Sequence, residues 1–419
     1  MPKVFVPTEI DQLKRVIVHR PDAGISRISP KRAEELLFDD IVHLPRMQQE
    51  HDVFTEVLRR FIGDNNVLEI EQLLCEALGE DPEAKAEMID MIVDWEELPS
   101  SAKDLFHKLP AEELTKVLVT GYYPAEDYIF FDPIPNFIFT RDIAVTVNDH
   151  LVITKAAKEA RFRENFITRY IIWAHPIFRE VRDSGRIINM NKPDQFPPSK
   201  RGELVSIEGG DMMMLNKDYL LIGCSERTNA HAIRSLAARL FERGVVKNVV
   251  QVNIPPDRSY MHLDTIFTRI NHHDYVAFKP IVVDGLSSNV EVMRHDGAIQ
   301  YYHSVQHFLV EEIDPKTRII LSGRGESPYQ EREQWTDGCN LVALRPGVAL
   351  TYDRNPVTEE AFEEAGYRVV YARDLLKAFD DGIIDPHEVK NTIITLPSSE
   401  LSRARGGSHC MTCPIERGK

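Results

Sequence analysis

A chain of 419 residues with 43% hydrophobic and 28% charged residues has the make-up of a globular enzyme of one large or two ordinary domains, not of a disordered or fibrous chain. Its 66 acidic against 50 basic residues leave a net charge of −16, which argues against nucleic acid or anionic membrane as partners while favouring a small cation in an acidic pocket. Five scattered cysteines make no disulfide framework, the first residues lack an apolar stretch of signal type, and no run of about 18 apolar residues could span a bilayer, so a cytoplasmic protein is expected.

The first strand is expected at residues 15–19 (RVIVH), closed by a Pro-Asp-Ala-Gly turn. Met47, Val53, Phe54, Val57, Leu58 and Phe61 recur at helical spacing and predict an amphipathic helix over 46–61. From 71 to 121 the pattern is helical throughout, with Leu, Met and Ile three and four residues apart, whereas strand signals dominate on both sides. An inserted helical subdomain over 71–121 follows, dividing a catalytic body into 1–70 and 122–419. A run of ordinary helices within one core is the other reading.

Beyond Gly121 one pattern recurs. Residues 136–146 (NFIFTRDIAVT) lead through a polar turn into 151–155, 211–215 into 219–223, 264–270 into 275–278, and 340–344 into 348–352. Each is two short apolar runs joined by Asn, Asp or Gly, a hairpin signature. A helix and another strand follow in several copies, most clearly at 229–243 with 249–252 and at 359–365 with 368–371. Four or five ββαβ units predict an α/β fold closed into an array of pseudo-equivalent blades. A doubly wound sheet would lack the hairpins. In such an array the inner strands converge, so Asp142, Glu208, Asp211, Asp264 and Asn340 would face one polar pocket.

Four motifs carry chemistry. Cys410 lies in RGGSHCMTCP (405–414), where two glycines free the backbone and a neighbouring imidazole and guanidinium favour the thiolate. Half a zinc site, a redox pair with Cys413 and a plain buried cysteine are the competing readings. In MHLDT (261–265), strand alternation would set His262 and Asp264 on one face, as an acid/base beside a cation ligand. EGGD (208–211) puts two carboxylates around glycines at a strand start, where a backbone can approach a ligand. TRD (140–142) ends an apolar run, so its charges are expected to face a pocket.

Together these motifs resemble the arginine deiminase family of the guanidino-group-modifying superfamily, with LLFDD (36–40), the helical stretch and the C-terminal loop in matching order. The resemblance implies a five-bladed pseudo-symmetric ββαβ propeller with an inserted helical subdomain. It implies Cys410 as nucleophile, His262 as general acid/base, Glu208 as the carboxylate beside the histidine, and Asp142 and Asp264 as the grip on a guanidinium. Arg161 and Arg227 match residues that bind the substrate's α-carboxylate; Asn136, Phe139 and Asp211 belong to the binding pocket and Arg405 to a gating loop. The implied reaction converts L-arginine to L-citrulline and ammonia through a covalent thiouronium, with no metal or organic cofactor. A homo-oligomer is compatible with it.

Paired arginines favour an amino-acid substrate over decarboxylated arginine, since burying them without a carboxylate costs desolvation. An amidinotransferase, an arginine hydrolase releasing ornithine, and a non-catalytic arginine-binding protein are the alternatives. The chain departs from the family pattern at Cys339, where relatives carry Asn or a small residue, and at Ser408, where a third Gly is common. Carboxylates near Cys410 raise its pKa, so its thiolate needs either a cationic His262 or ionisation on substrate binding.

Overall fold

The computed structural model describes residues 4–38, 40–286 and 288–418; Asp39 of the LLFDD motif lies outside them. Five of its sheets share one wiring, in which an antiparallel pair is extended by a strand parallel to its second member. Ala144–Val147 and His150–Ile153 take Ile187–Asn189, and Met212–Asn216 and Tyr219–Cys224 take Asn248–Asn253. Phe267–Arg269 and Asp274–Ala277 take Arg318–Leu321, and Val342–Arg345 and Val348–Tyr352 take Thr392–Leu396. The fifth joins the two ends of the chain: Cys413–Arg417 runs antiparallel to Leu13–Val18, which runs parallel to Val67–Glu69.

Each parallel addition needs a crossover, and helices such as Leu44–Ile62, Phe162–Ala174, Ala230–Glu242 and Pro356–Glu364 supply them. The fold is therefore mixed α/β. One hairpin turn uses Asn148 at φ 50°, the left-handed region that Asn tolerates best among residues with a side chain. One hairpin escaped the sequence pattern: Val290–Arg294 and Ile299–Tyr302 lie within the crossover to Arg318–Leu321 yet extend the neighbouring sheet, through Asn248–Asn253.

The stretch at 71–121 folds as the helices Ile70–Glu80, Pro82–Trp95, Ser100–Lys108 and Ala111–Thr120. Asp81 caps the second by accepting from Ala84 N, and Gly121 at φ 72° ends the fourth. Their apolar faces do not form a separate core, because Leu74, Ile89, Phe106 and Leu118 share one cluster with Ile17, Ile143, Ile171 and Ile415.

Two expected strands begin well after their predicted starts. Residues 136–142 form the 3-10 turns Pro135–Ile138 and Thr140–Asp142, and the strand begins only at Ala144. Likewise Leu263–Thr265 is a 3-10 turn ahead of Phe267–Arg269, so His262 and Asp264 do not share a strand face. The reason lies in the side chains: Asp142 accepts from Gly210 N at 2.9 Å, a bond to a neighbouring turn that strand alternation would not allow beside the buried Arg141.

Arg163 fastens the helical stretch to Phe162–Ala174. Its Nε donates to Leu118 O at 3.1 Å, its Nη atoms bond Glu96 and Asp132 O, and its guanidinium lies 4.1 Å from the Phe131 ring centroid. Arg163→Met should strand these groups at a cost of about 3–5 kcal/mol. A lowered urea midpoint, with proteolysis directed to 71–121, is the expected result; an unchanged midpoint would remove Arg163 as the fastener.

Candidate active site

The turns Thr140–Asp142, Gly209–Asp211 and Leu263–Thr265 pack against one another beneath the segment leading to Cys413–Arg417. Above them lies a cavity of about 300 Å³ whose lining includes Asn136, Phe139, Asp142, Arg161, Glu208, Arg227, His262, Arg405 and Cys410. Nine of the eleven expected site residues thus meet in one place. Asp264 and Asp211 are fully buried just outside its walls, and each has a definite contact.

Asp264 lies against the cysteine. Its Oδ2 is 3.4 Å from Cys410 Sγ and 2.8 Å from His409 Nδ1, while its Oδ1 is buried without a hydrogen-bond partner. Asp211 sits behind the histidine, not in the pocket where it was expected. Its oxygens accept from Leu263 N at 2.9 Å and Ser225 Oγ at 2.6 Å, fixing the turn that carries His262. Arg141, expected to face a pocket, is buried beside Glu9 at 3.5 Å.

His262 Nε2 is 2.9 Å from Glu208 Oε2, and His262 Nδ1 is 3.9 Å from Asp142 Oδ1. Close packing sets the ring: a Cβ on Gly210 would fall 2.7 Å from His262 Nδ1. Burial opposes the imidazolium, but Asp142, the Glu208 hydrogen bond and Asp211 outweigh it and hold the His262 pKa up at about 10. Burial would likewise raise Glu208, yet His262, Arg161 and Arg227 pull it down to about 2.

Arg161 is the hub of the opposite wall. Nη1 donates to Asp142 Oδ2 at 2.6 Å and lies 3.5 Å from Glu208 Oε2, while Nε and Nη2 donate to Glu164 Oε2 at 3.0 and 2.8 Å. Burial pushes the Glu164 pKa up to about 7. Arg227 completes the basic side, with Nη1 4.0 Å from Glu208 Oε1. Ligand atoms of Asp142, Glu208 and His262 lie within 4.8 Å of one another, as in a metal cluster. Arg161 Nη1 already sits among them, 2.6 Å from Asp142 Oδ2 and 3.5 Å from Glu208 Oε2, and brings positive charge there.

Cys410 is 6% exposed. Asn340 frames it: Nδ2 donates to Cys410 Sγ at 3.1 Å, and Oδ1 accepts from His409 N and Cys410 N at 3.0 and 3.2 Å. Gly407 permits this, because a Cβ there would lie 2.6 Å from Asn340 Oδ1. Ser408 Oγ donates to Leu350 O at 2.7 Å and accepts from Val342 N at 3.2 Å, anchoring the loop between strands. Burial, then Asp264, Asp142 and Asp337, push the thiol pKa well above its ordinary value. Cys413 faces away, bonding Ala144 O at 3.1 Å, so no CxxC ligand pair faces the pocket.

Sequence reasoning missed Trp335, whose ring centroid lies 3.4 Å from Arg405 Cζ, and Glu164 beneath Arg161. No local pattern marks either one.

A cysteine among buried carboxylates, with arginines on the far wall, suits an enzyme that modifies a guanidinium. A family model described as arginine deiminase matches residues 34–417. Arginine deiminases of Limosilactobacillus reuteri and Listeria monocytogenes are 35% and 34% identical, over 99% and 98% of this chain and 98% and 97% of theirs. The chain belongs to the arginine deiminase family. Its fold resembles that of DDAH from Pseudomonas aeruginosa, solved with citrulline, at a TM-score of 0.51 and 14% identity over 96% of this chain and 99% of the other.

The paired shifts set a pH window for stability. Glu208 contributes above its ordinary 4.5 and loses that contribution as pH falls toward about 2; His262 contributes below 6.5 and loses it as pH rises through about 10. Glu208→Gln removes the hydrogen-bonded carboxylate, so the His262 pKa should fall by about one unit or more in an NMR titration. An unmoved titration would mean that Glu208 does not sustain the imidazolium. A neutral alkylating agent should modify Cys410 with a rate that climbs about tenfold per pH unit from pH 7 to 9, since only the thiolate reacts. A plateau below pH 7 would show a preformed thiolate.

Proposed function

We infer that this chain hydrolyses the guanidinium of L-arginine, giving L-citrulline and ammonia. The observation that carries the reading is the convergence of Cys410, His262, Glu208, Asp142, Arg161 and Arg227 on one cavity of about 300 Å³, in a chain of this family. That volume is at the lower end for small-molecule pockets and suits an amino acid. The curated relatives share the activity's name over nearly their whole length.

Asp142 and Asp264 would hold the guanidinium, fixing its plane and localising its charge beside Cys410. The unpartnered Asp264 Oδ1 supports this, because a buried carboxylate oxygen gains most from a charged donor. With the thiol pKa raised and His262 already cationic, the reading favours ionisation of Cys410 as the substrate cation enters. The thiolate attacks the guanidinium carbon. His262 gives its proton to the departing ammonia, and an S-alkylthiouronium remains on Cys410. Neutral His262 then takes a proton from water, which attacks the same carbon; collapse expels the thiolate and releases citrulline. Glu208 keeps His262 basic enough for both transfers.

Arg161 and Arg227 would face the α-carboxylate, with Asn136 and Phe139 lining the middle of the pocket. Arg405, at φ 61° in a loop stacked on Trp335, suits a gate. For the scaffold, the five repeats of antiparallel pair plus parallel strand support a five-bladed pseudo-symmetric propeller, with 71–121 as a helical insertion between its first and second units. Five unpaired cysteines are suited to the cytoplasm. Among the described residues no helix is long and apolar enough to cross a membrane.

Incubation with L-arginine should yield citrulline and ammonia in equal amounts, and Cys410→Ala should abolish both. Ornithine with twice the ammonia, or product only when glycine is supplied as acceptor, would overturn the assignment. Arg227→Ala should raise the arginine KM about 10- to 100-fold, the worth of a charge-assisted hydrogen bond, while slow turnover of decarboxylated arginine stays as it was. An equal loss on both substrates would remove Arg227 from carboxylate recognition.

A further inference from the structure

A second cavity, of about 420 Å³, opens between the helix Pro82–Trp95 and the C-terminal half of Phe162–Ala174. It is larger than the one around Cys410 and shares none of its lining residues. Met88, Met91, Phe166 and Ile172 supply apolar wall, and Trp173, 58% exposed, adds an aromatic surface. Against these stand Arg169, Arg182, Lys192 and Arg243, with Glu87 the only carboxylate in the lining. Four cations to one anion is a sharp reversal in a chain of net charge −16.

Two of the four cations already have partners among the described residues, and two do not. Arg182 bonds Trp173 O and lies 3.6 Å from Asp183; Arg243 Nη1 donates to Gly185 O at 2.9 Å. Among the described residues, no hydrogen bond or close ion pair reaches the side chain of the half-buried Arg169 or of the exposed Lys192 at the rim. Burial lowers the Arg169 pKa, and Glu87 is the one carboxylate acting against it. A partly desolvated guanidinium without an acceptor is costly unless a ligand brings one. Concave shape, an apolar wall and clustered donors describe a small-molecule site, with the ring binding the wall and the anion binding the cations.

We propose that this cavity binds a ring-bearing organic anion of the nucleoside-phosphate class, and that the helix Phe162–Ala174 transmits its occupancy to Arg161 at the helix start. The mechanical basis is short: Arg169 and Trp173 lie on the same helix that Arg161 caps, and Glu164 on its first turn holds the Arg161 guanidinium.

Calorimetry on the full chain tests it with ADP, adenosine and inorganic phosphate as separate probes. ADP should bind saturably at or below about 1 mM, and the other two at least about tenfold more weakly, because each supplies only half of the contact. Arg169→Gln and Lys192→Gln should each weaken ADP about tenfold or more while leaving turnover without nucleotide unchanged, which shows that the variants fold. Absence of saturable ADP binding, or binding indifferent to both variants, would overturn the site. For transmission, the arginine Kd of the Cys410→Ala protein should shift about fivefold or more with saturating ADP, a reading independent of turnover. An unmoved Kd would overturn the link to Arg161.

Discussion

Three carboxylates buried around one cysteine set the terms for the rest of the structure. Asp142, Glu208 and Asp264 are each almost wholly removed from water, and an isolated buried carboxylate is too costly to keep ionised. Each is therefore answered by its own cation or donor. Arg161 and Gly210 N serve Asp142, His262 and Arg161 serve Glu208, and His409 serves Asp264. Among the described residues no cation lies against the cysteine: Asn340 donates to its sulfur, and burial, then Asp264, Asp142 and Asp337, push the thiol pKa up. The site thus gathers negative charge beside a cysteine whose surroundings disfavour the thiolate.

That arrangement needs support from a tier beneath it. Glu9 lies 3.4 Å from His409 Nε2 and 3.5 Å from Arg141, and burial of Glu9 is outweighed by Arg141, His409 and Arg417, which hold its pKa well below the carboxylate range. Arg417 in turn donates from Nη1 to Asp11 O and Ala343 O, both at 2.8 Å. Residues from both ends of the chain therefore meet under the cysteine. Pairing of Cys413–Arg417 with Leu13–Val18 is what brings them there, three residues after the proposed nucleophile. The strand pairing and the charge network are one device, because loss of either would leave a buried charge unmatched.

The repeat and the polar residues at its inner ends were legible in the sequence for a physical reason, while the tier of Glu9 and Arg417 was not. Hairpins joined by Asn, Asp and Gly repeat, and the polar residues just ahead of each inner strand had no solvent-facing role to fill. What was illegible depends on distance along the chain. Asp211 and Asp142 look alike as acids flanking strands, yet one props a backbone N–H and the other faces the cavity. Only the short turns decide this, and turn geometry is set by contacts such as Gly210 against His262 that no local pattern encodes. Arg141 misled for the opposite reason: its partner Glu9 lies 132 residues away. The added hairpin Val290–Tyr302 was hidden because it pairs with a sheet earlier in the chain, not with its own.

Arg161 supplies most of the positive charge that the pocket's carboxylates need. It already lays a guanidinium on Asp142, the very contact that a guanidinium substrate would seek. Exchanging one guanidinium for another on the same carboxylate changes the local electrostatics little, so the exchange avoids the large desolvation term that baring Asp142 would involve. Arg161 need not be stranded by it. Glu164 already holds two of its nitrogens, and the other Glu164 oxygen, Oε1, is buried without a hydrogen-bond partner. On the proposed reading, Glu164 would keep the guanidinium paired if a substrate took its place on Asp142. A pocket built this way discriminates by charge at both ends. Under the proposed reading, its acidic end would take a cation able to replace Arg161, and its basic end would gain from an anion that Arg161 and Arg227 hold together.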